Sequence, residues 1–158
     1  MRILLCGIGN RERGDDGFGP YIVEQIKETD NIKKIDCHLY PENYLNKISS
    51  FAPDLIIFFD AIKKEGTETI FLKNDEIIAH NPISVSTHNL PFSAIYQFLK
   101  VNCRAEIWFL GVRPHSYEKL SDETMAVAQR ITHVFNSLDI QKNLDIINLY
   151  ENLSTAIR

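Results

Sequence analysis

Apolar positions in this chain come either as short solid runs or as longer periodic stretches, and the two kinds alternate. Residues 3–6 are wholly apolar, as expected of a strand covered on both faces. Phe18, Ile22 and Ile26 then recur at four-residue spacing, with Tyr21 and Val23 beside them and Glu24, Lys27 and Glu28 on the other side. That spacing predicts a helix lying on a sheet and ending at Thr29-Asp30-Asn31. Residues 35–39 read as a second, peripheral strand, and Tyr44, Leu45, Ile48 and Phe51 mark a short helix after the break at Pro41. The run Leu55-Ile56-Ile57-Phe58-Phe59 is apolar throughout, hence central, and it ends in Asp60. Residues 69–72 form a further short strand, and Asn81-Pro82 breaks the chain before residues 84–88. Phe92, Ile95, Tyr96 and Leu99 trace one helical face after Pro91, and residues 106–112 are another apolar strand ended by Arg113-Pro114. Ser121 reads as an N-cap, with Asp122 and Glu123 in the first turn of a long helix carrying Val127, Ile131, Val134 and Leu138. Residues 143–158 have a helical pattern without an evident docking face.

This order predicts an α/β fold in three layers (αβα), with a mostly parallel twisted sheet of about five strands, one of them antiparallel. With 158 residues the chain has room for one domain, 1–158, and a sizeable core. Its 44% hydrophobic and 24% charged residues are ordinary for a globular protein. A net charge of -4 without a long basic run argues against nucleic acid as a partner. No apolar stretch reaches the length of a membrane helix, and Met1-Arg2-Ile3 leads straight into the first strand, which leaves no signal peptide. Cys6, Cys37 and Cys103 are odd in number and form no CxxC pair, which points to reduced thiols, a cytoplasmic location and no structural zinc.

The chemistry concentrates in residues 7–20, where five of fourteen positions are glycine, between the first strand and the first helix. A dinucleotide loop fails here: Glu12 stands where the third glycine belongs, and Asp15-Asp16 would repel a pyrophosphate. The loop instead presents carboxylates. Asp15/Asp16, Asp60 and His88 each lie past the carboxyl end of a strand or in a following loop, so a parallel sheet brings them to one edge. Two acids and an imidazole make a cation site suited to nickel or zinc. Each residue also has a plainer role open to it. One of Asp15 and Asp16 would cap the first helix, Asp60 would turn the chain, and His88 would sit in a first helical turn before Pro91. Cys37-His38, as neighbours on a strand, would point to opposite faces and so cannot share an ion; His80, His115 and His133 are isolated. Neither a GxSxG elbow nor an HExxH helix is present.

Taken together, Gly9-Asn10, Gly14-Asp15-Asp16-Gly17-x-Gly19-Pro20, Asp60-Ala61, Thr87-His88-Asn89-Leu90-Pro91 and Phe109-Leu110-Gly111-Val112-Arg113-Pro114 give the chain a resemblance to the maturation endopeptidases of nickel–iron hydrogenases. Pro41-Glu42-Asn43 and Thr87-His88-Asn89 look more like the branch serving formate hydrogenlyase-type and archaeal hydrogenases. The resemblance implies a peptidase, often labelled aspartyl-type, that removes the C-terminal extension of the hydrogenase large-subunit precursor. It also implies that Asp16, Asp60 and His88 are the catalytic and nickel-contacting set, that the nickel arrives with the precursor, and that the enzyme acts as a monomer. There are two departures from the family pattern. Glu12 replaces a usual Leu or Met, and Asp36-Cys37-His38 replaces Asp-Gly-Gly. Rival readings are a cation-dependent docking module that cuts nothing, and a small nucleotide- or sugar-processing enzyme.

Overall fold

The structure, a computed structural model, describes residues 1–85, 90–137 and 145–158. Its sheet has five strands in the order β2-β1-β3-β5-β4. They are β1 (Ile3–Gly7), β2 (Ile32–Asp36), β3 (Leu55–Ala61), β4 (Thr69–Lys73) and β5 (Glu106–Val112). Four run parallel, and β4 pairs antiparallel with β5 at one edge. β1 and β3, the most apolar runs, are buried along their whole length, whereas β2 has half-buried Lys33 and Lys34 and lies at the other edge. Reading residues 35–39 as the second strand thus misplaces β2. The strand starts earlier, at Ile32, and stops at Asp36, because Asp36 accepts from the amide of His38 and turns the chain.

Alternation along each strand divides the core in two. Ile3, Leu5, Ile57, Phe59, Trp108 and Leu110 face helices α1 (Phe18–Gln25), α5 (Asp122–Ser137) and α6 (Ile146–Ala156). Leu4, Cys6, Ile56, Phe58, Ile107 and Phe109 face α2 (Leu45–Phe51), α3 (Glu76–His80) and α4 (Phe92–Asn102). The expected three layers are therefore present. The β1-to-β2 crossover uses the first face; β2 to β3 and β3 to β5 step the other way and use the second, as a constant crossover hand requires. The connection leaving β1 thus runs one way along the sheet and that leaving β3 the other, and the switch point lies between them.

α1 stops at Gln25, short of the Thr29 expected, because other groups take the carbonyls at its end. Lys34 Nζ binds the Glu24 and Ile26 oxygens, and the Asn136 amide binds that of Gln25. α3 is a single short turn of helix that the apolar spacing did not indicate. α6 is capped by Asp145, which accepts from the Ile147 amide, and it docks through Leu149 and Leu153. Tyr150 completes that contact, with its ring 4.9 Å from Phe71 and 5.8 Å from Trp108. Leu138 and the start of the 143–158 segment lie outside the described residues.

The start of α1 rests directly on strand backbone. A Cβ on Gly19 would stand 2.3 Å from the Phe59 carbonyl oxygen and 2.6 Å from both the amide and the carbonyl of Ile8. Those groups are themselves tied, since the Ile8 amide donates to the Phe59 carbonyl at 2.9 Å. Nothing there is free to yield. Gly19→Ala is therefore expected to lower the melting temperature by about 4–12 °C, the range for a misfit of about 1–3 kcal/mol in a chain of this size, as followed by circular dichroism.

Candidate active site

β1 delivers the chain to the carboxyl edge of the sheet, and the following loop folds back on itself before α1 begins. The Asn10 side chain accepts from the Glu12 amide at 2.9 Å, the Arg13 amide returns to the Asn10 carbonyl at 3.2 Å, and the Asp16 amide returns to that of Arg13 at 3.1 Å. A one-turn 3-10 helix, Gly14–Gly17, then carries both aspartates into the interior, where neither is exposed. Gly9 has φ +142°, and a Cβ there would meet the Asp16 carbonyl oxygen at 1.8 Å, so only glycine lets the loop close over Asp16.

The two neighbouring acids do different work. Asp15 points toward the β5–α5 connection and accepts four hydrogen bonds: from the amides of His115 (2.7 Å), Ser116 (3.1 Å) and Ser121 (2.7 Å), and from the Ser121 hydroxyl (2.7 Å). Burial by itself would raise the Asp15 pKa, but the donors from Ser121 and His115 outweigh it and hold the carboxyl below its usual range. Ser121 also caps α5 as expected, its hydroxyl accepting from the Thr124 amide at 3.3 Å. Asp15 is thus a strut between two loops rather than a cap of its own helix.

Asp16 faces the opposite way. Its Oδ2 accepts from the Asn10 amide at 3.3 Å, and its charge is felt at Asp60. Asp60, at the end of β3 and only 2% exposed, accepts from the Ala61 amide at 2.8 Å. Burial, together with the Asp16 charge, pushes the Asp60 carboxyl well above its normal pKa; hydrogen bonds from Ser84 and Ala61 offset this only in part. Ser84 arrives on a segment that runs antiparallel to the end of β3, with the Lys63 amide bonded to Ile83 and the Val85 amide to Ala61. The sequence holds no signal for that partnership, which depends on a single isolated bridge.

Of the expected cation set, then, Asp16 and Asp60 come together at the switch point, and His88 lies outside the described residues. Among the described residues, no three His, Cys, Asp or Glu side chains form a group able to hold a metal ion. Cys37 and His38 lie just past β2 rather than on it. Cys37 is buried against Cys6, while His38 is exposed and left-handed at φ 51°, so they still point apart. Arg11 bridges Glu24 and Asp36, pinning the first loop to the end of β2. Glu12 is exposed beside a recess of about 360 Å³ that Arg11, Tyr21, Glu24, Glu118 and Lys119 also line. His115 pairs with Glu68, His80 ends α3, and His133 is exposed on α5.

A doubly wound α/β domain with an acid pair at its switch point is a frame for hydrolytic or metal-linked chemistry. Comparison with known proteins makes the class definite. The family model described as HycI, hydrogenase maturation protease, matches residues 20–138. A protein of Methanocaldococcus jannaschii designated a hydrogenase maturation protease is 34% identical over 125 residues, covering 72% of each chain. The hydrogenase 3 maturation protease of Escherichia coli is 28% identical over 141 residues, covering 87% of this chain and 88% of that one. The crystal structure of the nickel–iron hydrogenase maturation protease HycI from Thermococcus kodakarensis superposes with a TM-score of 0.72 at 33% identity, covering 90% and 93% of the two chains. This chain belongs to the hydrogenase maturation protease family and is a peptidase.

The two acids should respond oppositely to amidation. A carboxyl with a raised native pKa destabilises the fold as pH rises from the unfolded value, near 3.9, through the folded one. Asp60→Asn should therefore melt a few degrees higher than the parent at pH 7–8, and the gain should vanish as the pH approaches about 4. Asp15 has the opposite sign, its contribution being present above the unfolded pKa and lost as pH falls through the depressed one. Asp15→Asn should melt about 2–10 °C lower at neutral pH, with the deficit shrinking in acid. Thermal scans across pH check both.

Proposed function

We propose that the protein removes the C-terminal extension of a nickel–iron hydrogenase large-subunit precursor, and that Asp16, Asp60 and His88 recognise the nickel already installed in that precursor. The observation that carries this reading is the pairing of two buried carboxylates at the switch point, one of them with its pKa raised by burial and by the other's charge. A cation placed between them relieves that repulsion, and two carboxylate oxygens are competent first-row metal ligands. His88 enters from the sequence, three residues beyond Val85, whose amide bonds Ala61 next to Asp60. Two hard oxygen donors make a poor cage for nickel, which favours imidazole and softer ligands, so the metal is better treated as part of the substrate.

In this reading Asp16 and Asp60 orient the nickel-bearing end of the precursor, and grip on the metal measures the distance to the scissile bond. The ion, when present, polarises the carbonyl or acidifies a water. A cation bound beside Asp60 would favour its ionised form and so oppose the rise that burial causes. The same reading makes the enzyme a cytoplasmic monomer, with three free thiols in a reducing compartment. It is not an aspartic protease working as an acid dyad, because both carboxylates must be ionised to hold a metal.

The test is mass spectrometry of the precursor, nickel-loaded and nickel-free, before and after incubation with the protein. Only the loaded form is expected to lose its extension. Asp16→Asn, Asp60→Asn and His88→Ala should each cut about 100-fold more slowly or worse. Asp15→Asn, assayed below its melting temperature, should lose much less. Binding of the precursor with no change in its mass would mean a docking module instead. Activity should fall below pH ~5 as the acids and His88 protonate, and an optimum near pH ~3 would favour the acid dyad. Calorimetric titration of nickel into the protein alone should show weak binding. Sub-micromolar affinity, together with cleavage of the nickel-free precursor, would overturn recognition of the installed metal.

A further inference from the structure

A second recess, of about 420 Å³, lies on the α2 side of the sheet, between edge strand β2 and α2. Its character is unlike that of the whole chain, which carries a net charge of -4. Arg2, Lys33 and Lys47 line it, opposed by one carboxylate, Glu28. Lys34 also borders it, but its ammonium faces the other side of the sheet, where it is spent on the last carbonyls of α1. The floor is apolar, made of Leu4 and Ile35, and Phe51 holds the Arg2 guanidinium 4.4 Å above its ring. Among the described residues, no ion pair engages Arg2, Lys33 or Lys47.

Lysines on an edge strand have an ordinary purpose, which is to discourage pairing with another sheet. That accounts for Lys33 and Lys34 on β2 but not for Arg2 and Lys47, which reach the same hollow from the start of β1 and from α2. Among the described residues β2 pairs with β1 alone, but its outer edge is largely covered from within, the Ile32 amide and carbonyl bonding Thr29 and the Lys34 amide bonding Glu28, so recognition at the recess falls to side chains. Lys33 is in register with Leu4, three residues before the end of β1 at Gly7, which puts the recess about 10 Å along the strand from the carboxyl edge that carries Asp16.

We propose that this recess docks an acidic segment of the precursor protein, with carboxylates toward Lys33, Lys47 and Arg2 and an apolar side chain over Leu4 and Ile35. The proposal rests on the reading of the substrate given above and adds a second point of recognition, away from the metal. Charge at this point guides the encounter and tightens binding without touching the chemistry.

The test compares the parent with the double variant Lys33→Glu/Lys47→Glu, and with Lys33→Gln/Lys47→Gln as a milder pair, on the nickel-loaded precursor from the same organism. The charge-reversed enzyme should show a KM raised about tenfold with kcat unchanged, and the neutral pair an intermediate rise. Raising the salt concentration should increase the KM of the parent but hardly that of the reversed variant. A KM within twofold of the parent for both variants would overturn the proposal. So would loss of binding to double-stranded DNA or to anionic phospholipid vesicles with an unaltered KM for the precursor. If the parent does not cut the loaded precursor at all, the substrate reading has failed. Calorimetry of the precursor with the parent and the reversed variant then decides the docking surface by itself, since equal affinities would overturn it.

Discussion

One buried carboxylate, that of Asp15, holds the active edge of this protein together. Its four hydrogen bonds reach the amides and the hydroxyl of a loop about a hundred residues further along the chain. They fix the 3-10 turn that carries Asp16, and through Ser121 they fix the start of α5 as well. Several charge-assisted bonds to one acceptor are stronger than ordinary turn bonds, and here they replace any regular pairing between the two loops. With Asp15 committed to structure, its neighbour is left to face Asp60. A pair of adjacent acids is thus resolved into a strut and a neighbour turned toward Asp60 by the direction in which a single helical turn points each of them.

That arrangement carries a cost at the cleft. Asp16 and Asp60 are both buried and close enough to oppose each other's charge, which is poor design for stability. The rest of the fold offsets the penalty with large apolar layers on both faces of the sheet.

Most of the architecture was legible because it rests on long-lived patterns. Solid apolar runs placed β1, β3 and β5, and four-residue periodicity placed α1, α4 and α5. Legibility failed where a tertiary contact overruled the local pattern. β2 was misplaced because Asp36 turns the chain before Cys37, although apolar Ile35, Cys37 and Leu39 alternate as in a strand. α1 ended early because Lys34 and Asn136 captured its last carbonyls, and no local residue announces either. At the site, topology brought Asp16 and Asp60 to one edge, but spacing alone left open which acid of the pair was structural. Ser84 was invisible, since only the isolated bridge to Ile62 brings it to Asp60. His38 shows the converse. The family pattern has glycine there, and the chain keeps the left-handed backbone with a side chain in its place.

The long reach of Asp15 also sets a clock on the birth of the enzyme. The donors at residues 115–121 leave the ribosome long after the turn they secure. At ~5–20 residues per second the wait is on the order of 5–20 s, during which the acidic turn has no scaffold and its two carboxylates stay in water. α6 closes the outer face of the same core later still. A nascent chain therefore carries the paired aspartates almost from the beginning and fixes their turn almost at the end.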